Sequence, residues 1–288
     1  MKDKVCLLIT VFNRTPQLIN SLKRLTRLTL PDEILIVDDG SESGLEQELK
    51  QFEGVVPIRY IYNNNKDWSI CSMARNIGIK NTDCEIIITS EPEILFITDN
   101  IKEMLSLHYE TNKVVSIGTI YHQGEKGVIT NEIIETGEIP EKLISKQQSN
   151  TNVHSFKGYV EIQGWVAPYS ALYRKEWLMK INGWDEQFVK WGFDDTDLLT
   201  RLRIKGHNQV IANELKAIHQ WHPKLPPDVQ TKACLFNEKR MLEKNLNDND
   251  INSLNQLYDQ IWIKTEADYD RYIDIGIDKY RIKNIHNA

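Results

Sequence analysis

Three carboxylates, Asp194, Asp195 and Asp197, follow directly on an aromatic-glycine run, Trp191-Gly192-Phe193. They lead into apolar residues at helical spacing, Leu198, Leu199 and Leu202. A carboxylate at the mouth of a helix, wedged by aromatics, can act as a general base toward an attacking hydroxyl. One Asp is explained as a cap that satisfies free backbone N–H groups. Two further acids, and a second Trp-bearing turn at Gly183-Trp184, exceed what a cap needs. Three other polar clusters lie upstream: Asn13-Arg14, Asp38-Asp39-Gly40-Ser41 and Glu91-Pro92-Glu93.

Each of those clusters ends a buried strand. The apolar runs Val5–Val11, Ile34–Val37, Ile58–Tyr62 and Glu85–Thr89 predict four strands. Between them, Thr15-Pro16 predicts an N-cap and first helical residue, with Ile19, Leu22 and Leu25 at helical spacing. Ser69 to Lys80 predicts a second helix. Buried strands alternating with helices imply an α/β sheet, and ligands of such sheets sit at the carboxyl ends of strands. That is where a nucleotide site would place its polar residues.

Farther on, the pattern predicts a helix over Ile101–Tyr109 and a strand over Val114–Ile117. Residues 121–160, poor in periodicity, are expected to be an irregular loop that could close over the site as a lid. Strand and turn resume over Gly164–Tyr173, with a short helix near Lys175. A last strand over Val210–Ile218 ends at His219-Gln220-Trp221-His222-Pro223. Residues 1–223 form one domain, with halves at 1–100 and 101–223, and 224–288 form a helical extension suited to homodimer or partner-enzyme contact.

The chain has 288 residues, 41% hydrophobic and 26% charged, with a net charge of −6. That size supports a sizeable core. The acidic balance excludes nucleic-acid binding by bulk positive charge. Cys6, Cys71, Cys84 and Cys234 form no CxxC pair and read as reduced thiols, which points to the cytoplasm or the inner face of the membrane. No apolar run approaches the ~18 residues of a membrane helix.

The segments Ile9-Thr10-Val11-Phe12-Asn13-Arg14, Val37-Asp38-Asp39-Gly40-Ser41, Ala74-Arg75-Asn76-Ile77-Gly78 and Trp191 to Leu198 occur in that order. Over Val5 to Pro223 the chain resembles an inverting family 2 glycosyltransferase of the GT-A fold. Its C-terminal half is similar to the region shared by β-galactosyltransferases, chondroitin-type polymerases and polypeptide N-acetylgalactosaminyltransferases. The resemblance implies a Rossmann-like, mixed, mostly parallel sheet flanked by helices. It implies a nucleotide-diphosphate sugar, most plausibly a UDP-sugar, as donor, and a glycan, glycolipid or protein hydroxyl as acceptor.

The site residues follow from the matched positions. Asp195 matches the family's base, with Asp194 orienting the acceptor. Thr10, Phe12, Arg14 and Asp39 match the nucleotide end, and Arg75 could reach the diphosphate, brace the acids or form a structural ion pair. Asp38 is expected to cap its turn. The family's Asp-x-Asp for Mn²⁺ or Mg²⁺ is replaced here by Glu91-Pro92-Glu93, with His219, or alternatively His222, as a further ligand. The alternative for the Glu pair is a plain surface turn. Trp165 and Trp191 offer faces for an acceptor sugar. Competing readings are a silent nucleotide-sugar-binding protein, a nucleotidyltransferase and a dehydrogenase. The last lacks the GxGxxG that would follow its first strand.

Overall fold

The computed structural model describes residues 3–42, 44–65, 71–149, 159–162, 168–188, 192–223, 237 and 240–241. Strand β1 (Val5–Val11) is buried throughout and pairs in parallel with β2 (Glu33–Asp38) and β4 (Ile86–Ser90). β2 pairs in parallel with β3 (Ile58–Tyr62). Helices α1 (Thr15–Leu25), α2 (Leu45–Leu49) and α3 (Cys71–Asn81) make the crossovers that parallel pairing requires.

The second half reverses direction. β9 (Ser170–Arg174) lies antiparallel between β4 and β6 (Val114–Gln123). β6 then pairs in parallel with β10 (Gln209–His219), whose last residues pair antiparallel with β5 (Ile94–Phe96). The order is β3-β2-β1-β4-β9-β6-β10-β5. Two short strands join it: β7 (Ile144–Ser149) on β6 and β8 (Tyr159–Ile162) on β10.

Side-chain alternation along β1 builds the two core layers. Leu7 and Ile9 face Leu18 and Leu22 of α1, with Ile101 and Met104 of α4 (Asn100–Thr111) in the same layer. Cys6 and Leu8 face the other layer. It holds Ala74 of α3, Leu178 of α6 (Lys175–Lys180) and Leu198 and Leu202 of α7 (Asp194–Ile204). Among the described residues no helix is long and apolar enough to cross a membrane.

Three expectations need correction. Thr15 is the first helical residue of α1, and Arg14 holds the cap position without a side-chain bond. Residues 121–149 are folded, not irregular. β6 runs on to Gln123, and α5 (Asn131–Thr136) starts with the Thr130 hydroxyl accepting from Ile133 N–H and ends at left-handed Gly137. Ile133 and Leu143 pack against Leu95 and Ile218, which anchors the segment to the sheet. Those apolar residues are too sparse to show a period in sequence. β5 was not expected at all, because its three residues follow a Glu-Pro-Glu turn. Residues 150–158, Trp165 and Trp191 lie outside the described residues, as does the extension beyond 223 apart from the helical Asn237, Arg240 and Met241.

A Cβ on Gly78 would come 2.2 Å from a Leu8 methyl carbon, so α3 can approach β1 only with glycine there. Overpacking a filled layer typically costs about 1–3 kcal/mol. Gly78→Val should therefore lower the urea midpoint of unfolding by that amount at unchanged slope; an unchanged midpoint would contradict this packing.

Candidate active site

Helix α3 aims two consecutive side chains at the catalytic half. The buried guanidinium of Arg75 donates through Nη1 to Asp194 Oδ2 at 2.9 Å and to Asp195 Oδ1 at 3.1 Å. Its Nη2 lies 3.5 Å from Glu91 Oε1, and its carbon lies 5.3 Å from the Trp184 ring centroid. Asn76 takes the next position. It accepts from the Trp184 backbone N–H at 2.9 Å and donates to the Trp184 carbonyl at 2.7 Å. Gly183, at φ 65, must be glycine, because a Cβ there would meet Asn76 Oδ1 at 2.2 Å. The Ala-Arg-Asn-x-Gly segment is thus a packing and aiming device in one helix.

Trp184 is almost fully buried, and its indole N–H donates to Asp195 Oδ1 at 2.9 Å. It serves the carboxylate and is no exposed platform for a sugar. Asp197 points elsewhere. It accepts from Arg201 at 2.7 Å, and Arg201 in turn binds the Ile181 and Gly183 carbonyls. Four influences set the acidity of Asp195. Burial is the largest and raises its pKa; Arg75 lowers it, the Asp194 charge raises it and the Trp184 bond lowers it, and the result is about 6. Burial therefore outweighs the cation at hydrogen-bond distance.

Glu93, His219 and His222 present ligand atoms within 4.8 Å of one another. His219 ends β10 in register with Ile94 and with His122 of β6. Burial, and the neighbouring His222 and His122, bring His219 down to about 4, so its ring is neutral and a lone pair is free to coordinate. Glu93 is buried, which raises its pKa, but bonding from His222 at 3.3 Å draws it net below the ordinary value. Glu91, raised to about 8 by burial and by Glu93 despite Arg75, faces Arg75 and stands outside the triad. His222 places Nε2 3.3 Å from Glu93 Oε1, and its Nδ1 lies 2.9 Å from the Pro223 carbonyl and 3.1 Å from Arg14 Nη2. One carboxylate and two imidazoles suit a divalent transition metal.

Helix α1 holds this group in place. Gln220 donates to the Gln17 carbonyl and to Ser21 Oγ and accepts from Asn20. Ser21 Oγ donates to the Pro92 carbonyl at 2.9 Å. The Glu-Pro-Glu turn and the His segment are thereby fixed to one helix face.

At the nucleotide end, Asp38 caps its turn as expected, accepting from Ser41 N–H at 2.8 Å. Asp39 is buried, which raises its pKa, and its two oxygens accept from Asn63 at 2.7 Å and Asn65 at 3.2 Å. Thr10 is buried near the end of β1, and Phe12 is half-buried just beyond it. Arg14 reaches the other way, with Nη2 3.1 Å from His222 Nδ1. Asn63, Asn65, Gln220 and His122 were not identified from sequence as site residues. Asn76 carried a signal by standing inside a matched segment, and Trp184 by its place in the Gly183-Trp184 turn.

A family model described as glycosyl transferase family 2 matches residues 6–180, more than half of the chain. A second, described as the N-terminal domain of galactosyltransferase, matches residues 150–222. The chain is 24% identical to the chondroitin synthase of Escherichia coli over 77% of its own length, and covers 35% of that protein. It spans about a third or less of the chondroitin and hyaluronan synthases it matches. In structure it is similar to S. aureus TarS in complex with UDP-GlcNAc, with TM-score 0.59, 13% identity and coverage of 77% of this chain and 60% of that one. It is also similar to a mannosyltransferase from Pyrobaculum calidifontis in complex with GDP-Man and Mn²⁺, with TM-score 0.57, 12% identity and coverage of 87% and 66%. These likenesses establish the GT-A fold.

Removing one member of a buried ion cluster leaves the others uncompensated, typically at a cost of 3–5 kcal/mol. Arg75→Ala should destabilise the protein by about that much in denaturant unfolding. A loss below about 1 kcal/mol would show that solvent already screens the pair.

Proposed function

The chain belongs to glycosyl transferase family 2, and we propose that it transfers a sugar from a UDP-sugar to a hydroxyl acceptor with inversion, in glycan or polysaccharide synthesis. The observation that carries the reading is the buried Asp195, joined through Arg75 to Glu91, in the same short turn as the Glu93 that meets His219 and His222. The UDP-GlcNAc complex of TarS supports a uridine nucleotide, and the chondroitin synthases support a glycan acceptor and a hexosyl or N-acetylhexosaminyl donor.

Asp39, held by Asn63 and Asn65, is suited to accept from the base or ribose. Glu93, His219 and His222 would hold a divalent cation, Mn²⁺ rather than Mg²⁺ given the nitrogen ligands, and it would supply positive charge to the leaving diphosphate. Asp194 and Asp195 already surround Arg75, so an anionic donor needs that charge. Asp194, fixed by Arg75, orients the acceptor hydroxyl. Asp195 takes its proton as the acceptor oxygen bonds to the anomeric carbon and the bond to the diphosphate breaks, with the electron pair leaving on phosphate. A single displacement from the opposite face inverts the centre.

A panel of nucleotide sugars assayed with Mn²⁺, Mg²⁺ and chelator tests the reading. Cation-dependent release of UDP from one donor is expected; tight binding with no turnover under any acceptor would favour a silent binding protein. Asp195→Asn should cut kcat by about 10²–10⁴-fold, the usual worth of a general base. The base works as a carboxylate, so kcat/KM should fall as pH drops through about 6. Trp184→Phe removes a bond that stabilises the ionised form and should move that limb to higher pH. A limb that stays put would remove Asp195 from the role.

A further inference from the structure

We propose that the C-terminal segment braces the loop leading to the base, with Asn237, Arg240 and Met241 acting as positioning residues for Asp194 and Asp195. The catalytic part of this inference rests on the function proposed above. Residues 237, 240 and 241 are helical and spaced to share one face. That face meets Asp185, Phe188, Gly192 and Phe193. Arg240 Nη2 donates to both oxygens of Asp185, at 2.9 and 2.7 Å, and its guanidinium lies over the Phe188 ring at 5.8 Å. Met241, fully buried, packs with Phe188 and Phe193. Asn237, 1% exposed, donates to the Gly192 carbonyl at 2.8 Å.

The last contact falls on strained backbone. Gly192 has φ 94 and Phe193 has φ 67, two left-handed residues in succession directly before Asp194. A Phe holds that conformation only when its surroundings impose it. The N-cap residue Phe193 makes no side-chain capping bond, so the first turn of α7 takes its direction from this bend. The braced loop also joins both determinants of Asp195: Trp184, which donates to it, stands at one end, and the helix start stands at the other. These contacts of Asn237, Arg240 and Met241 go to Asp185, Phe188, Gly192 and Phe193, not to either carboxylate. These three residues set where the carboxylates stand.

The test uses the full chain, with Asn237→Ala, the milder Arg240→Gln, and the cycle of Asp185→Ala with Arg240→Ala. Backbone hydrogen exchange reads the brace without any substrate. Exchange of the amides of residues 193–197 is expected to speed up in each variant while those of β1 and β4 stay as in the parent. With an active donor and acceptor, kcat should fall by up to ~10²-fold, the scale of a small misplacement of catalytic groups, with donor affinity within about 2-fold of the parent. Asp185→Ala and Arg240→Ala together should cost no more than either alone. Unchanged exchange over 193–197 overturns the brace. So does exchange that speeds up across the whole protein, β1 and β4 included, while donor affinity and kcat fall together, which is the mark of general destabilisation. If the parent binds and turns over no nucleotide sugar, the function proposed above fails, and the exchange result still decides the brace.

Discussion

The guanidinium of Arg75 gathers carboxylates from distant parts of the chain: Asp194 and Asp195 at the start of α7, and Glu91 after β4. Buried acids without a cation would neutralise or push apart. With it, they converge at the carboxyl edge of the sheet. Much of the neighbouring architecture serves to deliver that one side chain. Gly78 lets α3 lie against β1, Asn76 pins the Trp184 turn, and Gly183 clears space for Asn76.

Opposing forces leave the acids unequal. Asp195 is raised to about 6 by burial even though Arg75 and Trp184 both favour its charged form. Such a group is ionised at neutral pH yet basic enough to take a proton, which a carboxylate near its ordinary value would do poorly. Glu91 and Glu93 divide differently. Glu93 is drawn down by His222 and joins the imidazoles, while Glu91 is raised and turns to Arg75. The two acids of one short turn thus have separate duties, because different partners lie on either side of it.

Rigidity at the site comes from long-range contacts. Gln220 is threaded among Gln17, Asn20 and Ser21 of α1, some two hundred residues away in sequence. The short β5 pairs with the end of β10 and brings Glu93 beside His219. A sequence scan passes over both, since a lone Gln and a three-residue strand carry no period.

The strands β1 to β4 and the helices α1 and α3 were legible in the sequence, because continuous apolar runs and helical spacing are local consequences of burial, while the mixed sheet followed from the family resemblance and α2 went unread. The order of matched segments likewise identified the family and singled out Asp195, Arg75 and Asp39. Three matters were decided only by tertiary structure. The Glu-Pro-Glu turn contributes one acid, not two, to the triad, and His222 joins His219 in it, because register between β5 and β10 sets which atoms meet. Arg14 turns toward His222, away from Asp39, because the His segment folds back over α1. The direction of the Asp195 shift was open in sequence, where a helix terminus and neighbouring acids oppose each other. Burial settled it, and burial is a property of the assembled layers that no local stretch of residues contains.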